Sequence, residues 1–287
     1  MRTELDKIIA NIKPLCKTAM EEAKKHQSRL AKPPGSLGKL EDISVQFAGI
    51  TGKLHNSIEK KHLLVFAADN GVVAEGVASA PQSVTLKQAI NLTKEKTGAS
   101  VLAAHFGCGI TACDVGINAD VKNSDVIDKK IAYGTNNIAK GSAMTKEQAI
   151  KAIITGVGLA KSTDANIIGV GEMGIGNTTT ASAVLSVLLD VDAEKVTGRG
   201  AGITDSAFRK KKDVIKQAIK INNPDKNDVL DVLSKVGGFD IAAMCGAYLG
   251  AAASRKPVVI DGFISVVAAL CAVKLCPNVL NYLIASH

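Results

Sequence analysis

An α/β fold, with a largely parallel open sheet flanked by helices, is predicted by three features of this sequence of 287 residues. Short apolar runs recur at residues 63–68, 110–113, from Ile167 onward, and at 258–260. They are continuous where a half-exposed strand would alternate, as expected of strands covered on both faces. Helical segments separate them, which is the βα order of a parallel sheet. Each run also ends at a carboxylate with glycine close by: Asp69, Asp114, Glu172 and Asp261. In an open parallel sheet those ends share one edge, where ligands bind. The expected architecture is Rossmann-like, and the length allows one large domain with an accessory subdomain or two modest ones.

Taken in order, residues 3–30 read as helix, with Leu5, Ile8, Ile9, Ile12 and Leu15 on one side and Pro14 bending or restarting it. Residues 32–38 form a rigid Pro-Pro-Gly turn and loop. After the first strand, Pro81 precedes a helix over about 83–106, which leads to the second strand. Residues 145–163 are helical and lead into the third strand. A glycine turn at 197–202 precedes a basic helix over about 205–221, and Asn222-Asn223-Pro224 ends it. A third glycine turn at 236–239 opens an Ala/Gly-rich helix that leads to the fourth strand.

The chain is 46% hydrophobic with 26 glycines but only 3% aromatic, so its core must be aliphatic and built on small residues. No apolar run reaches membrane-spanning length: 241–253 is too short, and Asp261 interrupts 257–273. The charged N-terminus lacks a signal-peptide core, which points to a cytoplasmic protein. The formal charge of +8 is spread along the chain, apart from the run Arg209-Lys210-Lys211-Lys212. Without interleaved aromatics or a recognisable module, it does not indicate nucleic acid. A solvated basic face, and locally a basic surface around an anionic small substrate, fits better. The C-x4-C pairs Cys108/Cys113 and Cys271/Cys276 lack further cysteines for a cluster, so the six cysteines read as free thiols. The histidines show no metal-ligand spacing, and no metal or cofactor is expected.

The chemistry concentrates at I-I-G-V-G-E-M-G-I-G-N-T-T-T, residues 167–180. A strand, a glycine turn rich in backbone N–H groups and a helix N-terminus make a phosphate site. Gly169, Gly171 and Gly174 formally match the dinucleotide fingerprint, with Asp190 or Asp192 near the ribose-acid offset. Yet Glu172 would then face a doubly charged pyrophosphate, and the motif lies well past mid-chain. A single phosphate held near Gly176, Asn177 and Thr178 leaves Glu172 free for another role.

Five blocks in register carry a resemblance along nearly the whole chain: K-P-P-G-S-L-G-K-L-E (32–41), A-A-D-N-G-V-V-A-E-G-V (67–77), G-V-G-E-M-G-I-G-N-T-T (169–179), V-L-S-K-V-G-G-F-D (232–240) and D-G-F-I (261–264). They resemble the nicotinate-nucleotide–dimethylbenzimidazole phosphoribosyltransferase family of cobalamin lower-ligand assembly. The resemblance implies transfer of a 5-phosphoribosyl group from nicotinate mononucleotide to a benzimidazole base, giving α-ribazole 5′-phosphate and nicotinate. It also implies a small helical subdomain, with 1–58 as its N-terminal helical segment and 59–287 as the α/β nucleotide-binding domain, and a homodimer in which the N-terminal region helps complete the partner's site. By position it places Ala80, Gln88 and Met173 near the base. Glu172, Lys211, Gly200 and the loop of Gly174, Ile175, Gly176, Asn177, Thr178 and Thr179 fall near the nucleotide, and Gly237 and Gly238 near its phosphate. Ala80 replaces a serine of some members, and Asn70 stands where histidine is common.

The family's assigned base is a glutamate in a Gly-Glu-Gly-Ser-Gly segment, which the resemblance puts beyond Ser286-His287. Glu172 or Asp261 is the candidate for a negative group near the oxocarbenium-like centre; either the chain is a fragment or another carboxylate must serve as the base, and the chain as written is expected to be weak or inactive. Two other readings stand beside the transferase: a non-catalytic binder of benzimidazoles or ribazoles, and an NAD-dependent oxidoreductase on a Rossmann-like sheet.

Overall fold

The computed structural model describes residues 1–122 and 124–287. The first three helices are α1 (Arg2–Ala10), α2 (Lys17–Gln27) and α3 (Lys39–Thr51). Pro14 falls between the first two, so the expected helix restarts there instead of bending. Strand β1 (Lys61–Ala68) is followed by α4 (Ser83–Thr93), α5 (Gly98–His105), β2 (Cys108–Gly116) and the two-residue β3 (Ile127–Asp128). The single helix expected over 83–106 is thus two. Glu95 adopts a left-handed conformation (φ 53°), and Thr97 starts a new helix by exchanging capping hydrogen bonds with Ser100.

The chain continues through α6 (Lys146–Ser162), β4 (Ile167–Met173), α7 (Asn177–Leu189), α8 (Ala193–Val196), α9 (Asp205–Asn222), α10 (Val229–Val236) and α11 (Phe239–Ala253). It closes with β5 (Val258–Ile260), α12 (Phe263–Leu275) and β6 (Leu283–Ala285). Helix α6 begins where its capping box, Thr145 with Gln148, says it should. β3 and β6 have two and three residues. Neither carries a long apolar run, which is why the sequence pattern points to four strands and not six.

The six strands among the described residues are all parallel, in the order β3-β2-β1-β4-β5-β6. The chain runs outward from β1 through β2 to β3, then returns to the other side of β1 for β4. The direction reverses between β1 and β4, and a crevice opens at the carboxyl ends of strands at such a reversal. One core face packs α6, α7, α11 and α12 on the sheet, and a smaller cluster packs Val65, Ala67 and Ala112 against α4. α11 is buried almost throughout and crosses α6 at glycine: a Cβ on Gly246 would lie 1.8 Å from the Ile153 carbonyl, and one on Gly156 1.8 Å from that of Ala243. Small residues let these backbones touch, which explains how a chain without tryptophan fills its interior. α2 and α3 share a separate small core, whereas Leu5 and Ile8 of α1 join the main one. No helix among the described residues is long and apolar enough to cross a membrane.

Candidate active site

The reversal point brings together the end of β1, the loop after β4 and the start of α7. Gly176 ends that loop at φ 93°, and a Cβ there would strike Val73 at 2.6 Å, so glycine is required twice over. α7 starts directly after it without a side-chain cap. A narrow cleft of about 100 Å³ runs over this turn. Its walls include Ala80 and its neighbours on one side and Arg199, Gly200 and Ile203 on the other. Gly174, Ile175, Gly176, Asn177 and Thr178 form its floor.

Lys211 lies behind the cleft wall, against Thr178 and Gly200. It is 1% exposed, yet makes no ion pair with a carboxylate among the described residues. Its ammonium donates to Thr178 Oγ1 at 2.7 Å and to the Gly198 carbonyl at 3.0 Å. Burial pulls the ammonium down to about 8. An ammonium has three N–H donors, and here only two are engaged among the described residues. A Cβ on Gly200, whose φ is 61°, would sit 2.9 Å from Thr178 Oγ1 and 3.7 Å from Lys211 Nζ. The glycine turn therefore lies directly against the lysine–threonine pair. Arg199 in the same turn is held by Asp205 and stacks over Phe208 at 4.8 Å.

Glu172 lies beneath the cleft, partly buried, on the sheet face that meets α11; Met173, next along the strand, packs on the opposite face among the α4 cluster. Glu172 Oε2 accepts from Asn177 Nδ2, whose second bond goes to Asp240 Oδ2 at 2.9 Å. Burial, with the charge of Asp240 adding to it, pushes Glu172 up to about 7. Asp240 is fully enclosed, and burial pushes it up to about 6 against the hydrogen bonds it accepts from Asn177 and the Ile241 N–H. Asn70 joins them: its Oδ1 accepts from Thr180 Oγ1 at 3.3 Å, while its Nδ2 and Thr179 Oγ1 are buried without partners among the described residues.

The four strand-end acids do not all line the crevice, as their pattern suggests. Asp114 is wholly buried, accepts from the N–H groups of Gly116 and Ile117, and pairs with Lys130 at 2.6 Å. It anchors the loop after β2. Asp69 accepts from Thr85 Oγ1 at 2.7 Å and from the Asn118 N–H at 2.8 Å. Thr85 in turn accepts from the Ile175 N–H at 3.2 Å, so Asp69 steadies the cleft floor from below. Asp261 lies at the exposed end of β5, bonded to Ser286 Oγ at 2.7 Å. Glu172 is left as the strand-end acid beside the cleft.

Gln88 lies on α4, partly buried, accepting from Asn91. Gly237 and Gly238 are buried at the start of α11, where a Cβ on Gly238 would meet Asp240 Oδ1 at 2.4 Å and Asn70 Oδ1 at 2.8 Å. Asp240 is the residue sequence reasoning passed over. Its signals were its place, two residues past the glycine pair in the first turn of a helix, and its closing the 232–240 block that carries the family resemblance. No group of three or more metal-ligating side chains is gathered among the described residues.

The chain has counterparts among known proteins. The family model described as a phosphoribosyltransferase matches residues 12–287. The nicotinate-nucleotide–dimethylbenzimidazole phosphoribosyltransferase of Clostridium tetani is 49% identical over 286 residues, covering 99% of this chain and 79% of its own length. That of Ruminiclostridium cellulolyticum is 50% identical, covering 98% and 81%. The crystal structure of CobT from Thermus thermophilus superposes with a TM-score of 0.89 at 32% identity, over 94% of this chain and 82% of that one. The names of these relatives support the phosphoribosyl reading over the oxidoreductase. With the five motif blocks, the sheet order and relatives at half identity in agreement, this chain belongs to the nicotinate-nucleotide–dimethylbenzimidazole phosphoribosyltransferase family.

Proposed function

We propose that this protein moves the 5-phosphoribosyl group of nicotinate mononucleotide to 5,6-dimethylbenzimidazole or a related base. The observation that carries the reading is Lys211, a buried ammonium without a counter-ion among the described residues, which opens toward a glycine turn and a helix N-terminus. Such a site favours a phosphate, whose charge would relieve the uncompensated cation. The 5′-phosphate sits against Lys211, Thr178 and Gly200, with Asn177, Thr179 and the Gly174–Ile175–Gly176 floor beneath the ribose. Near Gly237 and Gly238 the Asp240 carboxylate already occupies the N-terminus of α11, which favours the Lys211 end for the phosphate. Ala80, Gln88 and Met173 lie toward the base.

Nicotinate bonded to C1′ is a pyridinium, so it departs as a neutral ring that needs no proton. The difficult feature is the positive charge that grows on the sugar as that bond lengthens. Phosphate anchoring holds C1′ in place during this change. A desolvated carboxylate, Glu172, stabilises the charge where it develops. The unprotonated ring nitrogen of the benzimidazole attacks C1′ as the bond to nicotinate breaks, and the N–H proton of the resulting benzimidazolium passes to water.

The test is Glu172→Gln, assayed by release of nicotinate and formation of α-ribazole 5′-phosphate. Turnover should drop roughly ten-fold to a thousand-fold with the fold intact; wild-type turnover would remove Glu172 from the mechanism. We also infer that α2, α3 and the segment up to Ile58 form a small helical lobe, α1 belonging to the main core, and that a second copy docks on this lobe in a homodimer. A groove of about 650 Å³ there exposes Leu30, Leu37, Leu40 and Ile58.

A further inference from the structure

The acid pair beneath the cleft is more than the catalytic reading requires. Asp240 is fully enclosed, takes no part in the phosphate site, and forms no ion pair among the described residues. One Asn177 amide nitrogen uses its two N–H bonds to hold Glu172 on one side and Asp240 on the other. With both acids ionised, the amide faces the pair this way because its oxygen would be repelled by both. Glycine is enforced around the arrangement: a Cβ on Gly174 would lie 2.7 Å from Asp240 Oδ2 and 3.0 Å from Asn177 Nδ2. The Gly238 hydrogen likewise faces Asp240 Oδ1. Two buried acids, bridged by an amide and not by a cation, are a costly feature for a purely structural role.

We propose that Asp240 is a positioning residue for Glu172: held at the N-terminus of α11 and joined to Glu172 through Asn177, it fixes the direction of that carboxylate and places a second, unneutralised negative charge beside it. This deepens the proposed function and rests on the role given there to Glu172. The first turn of α11 favours the anion on Asp240, through the Ile241 N–H at 2.9 Å and the helix dipole. Glu172, with no such donor besides Asn177 among the described residues, is the member that holds a proton more readily. A carboxylate in that condition responds strongly to positive charge appearing next to it. The sugar cation is the positive charge the reaction supplies.

The surroundings leave this pair isolated. The end of β1 contributes Asn70 and Asp69, the latter engaged with Thr85 and Asn118. β2 contributes Asp114, neutralised by Lys130. α7 contributes Asn177 and Thr180, and β5 has only Val258–Ile260. Lys211 of α9 is taken up by Thr178 and Gly198, and on α10 Asp231 pairs with Lys235. Every charged residue of α1, α4, α6 and α12 is exposed.

The decisive measurement is the carboxyl 13C titration of Glu172 in the full chain labelled at glutamate, assigned with Glu172→Gln. In the unsubstituted protein Glu172 should titrate near neutrality, and in Asp240→Asn its midpoint should fall by about one pH unit or more. The acid limb of the kcat/KM profile with nicotinate mononucleotide should move down with it. kcat should fall roughly three- to thirty-fold while KM for the nucleotide holds within about two-fold. Asp240→Glu should restore part of the limb. A structural role alone would lower Tm and leave the midpoint and the limb in place, and that result overturns the proposal. Should Asp240→Asn not fold, a Glu172 midpoint in the ordinary carboxylate range in the unsubstituted protein overturns it equally. The titration needs no turnover, so loss of the catalytic role of Glu172 would be seen separately, in the Glu172→Gln assay.

Discussion

Replacing Lys211 by methionine should make the ligand-free protein more stable and its hold on nicotinate mononucleotide weaker. Burial lowers the ammonium from 10.5 to about 8. Because the folded-state pKa lies below the unfolded one, the group is charged in both states at pH 7, and the folded state there carries the full penalty. A shift of that size corresponds to about 3 kcal/mol. Methionine has similar length and no charge, so it removes the penalty but also gives up the bonds to Thr178 and Gly198, worth about 1 kcal/mol each. The net gain is about 1 kcal/mol, or a rise in Tm of roughly 2–4 °C. The gain should be full below pH 8 and shrink as pH rises toward 10.5, where the native lysine loses its charge in both states. The phosphate, meanwhile, loses a charge-assisted hydrogen bond of about 1.5–3 kcal/mol, so KM should rise roughly ten- to 150-fold. Thermal melts at pH 7 and 9.5, with and without the nucleotide, read both effects, and the ligand-induced rise in Tm should largely vanish. A variant that melts several degrees lower and keeps its KM would refute the assignment of Lys211 as the phosphate's cation.

Two further outcomes follow from the same structure. The folded-state pKa values of Glu172 and Asp240 lie above their ordinary ones, at about 7 and about 6, so the folded protein binds more protons than the unfolded chain between about pH 4 and 7. Stability should therefore decline as pH rises through that window, and Glu172→Gln should flatten the decline; parallel wild-type and variant curves would contradict the coupling. On the small lobe, a dimer at micromolar concentration in sedimentation velocity should become monomeric when Leu40 and Ile58 are both changed to Asp, whereas a monomeric unsubstituted protein would exclude that interface.

Much of the fold was legible in the sequence because its signals are local. Continuous apolar runs bounded by turn residues fit strands buried on both faces, and Thr145 with Gln148 marks the start of α6 through atoms three residues apart. The glycine loop after β4 was equally plain, since Gly176 sits where neither its φ nor the space beside it admits a side chain. The break between α4 and α5 was not visible: it depends on a left-handed Glu95, and glutamate is a good helix former. Nor were β3 and β6, which are strands only because β2 and β5 lie beside them.

The site divides in the same way. Part of its chemistry can be read from the residues alone, a carboxylate within a phosphate loop with threonines after it, whereas Lys211 was indicated only by the family resemblance. The same reading implied four acids along one sheet edge, because periodicity tells which strand end a residue occupies but not what lies opposite. It took tertiary packing to commit Asp114 to Lys130, to set Asp69 bracing Thr85, and to turn Asp261 outward. That packing also drew Lys211 from an apparently solvated run of four cations into the interior. It brought Asp240, 63 residues away from Asn177, into contact with the amide that holds Glu172. Burial and charge pairing belong to contacts between distant segments, and those contacts were set by the strand order that puts β4 beside β1.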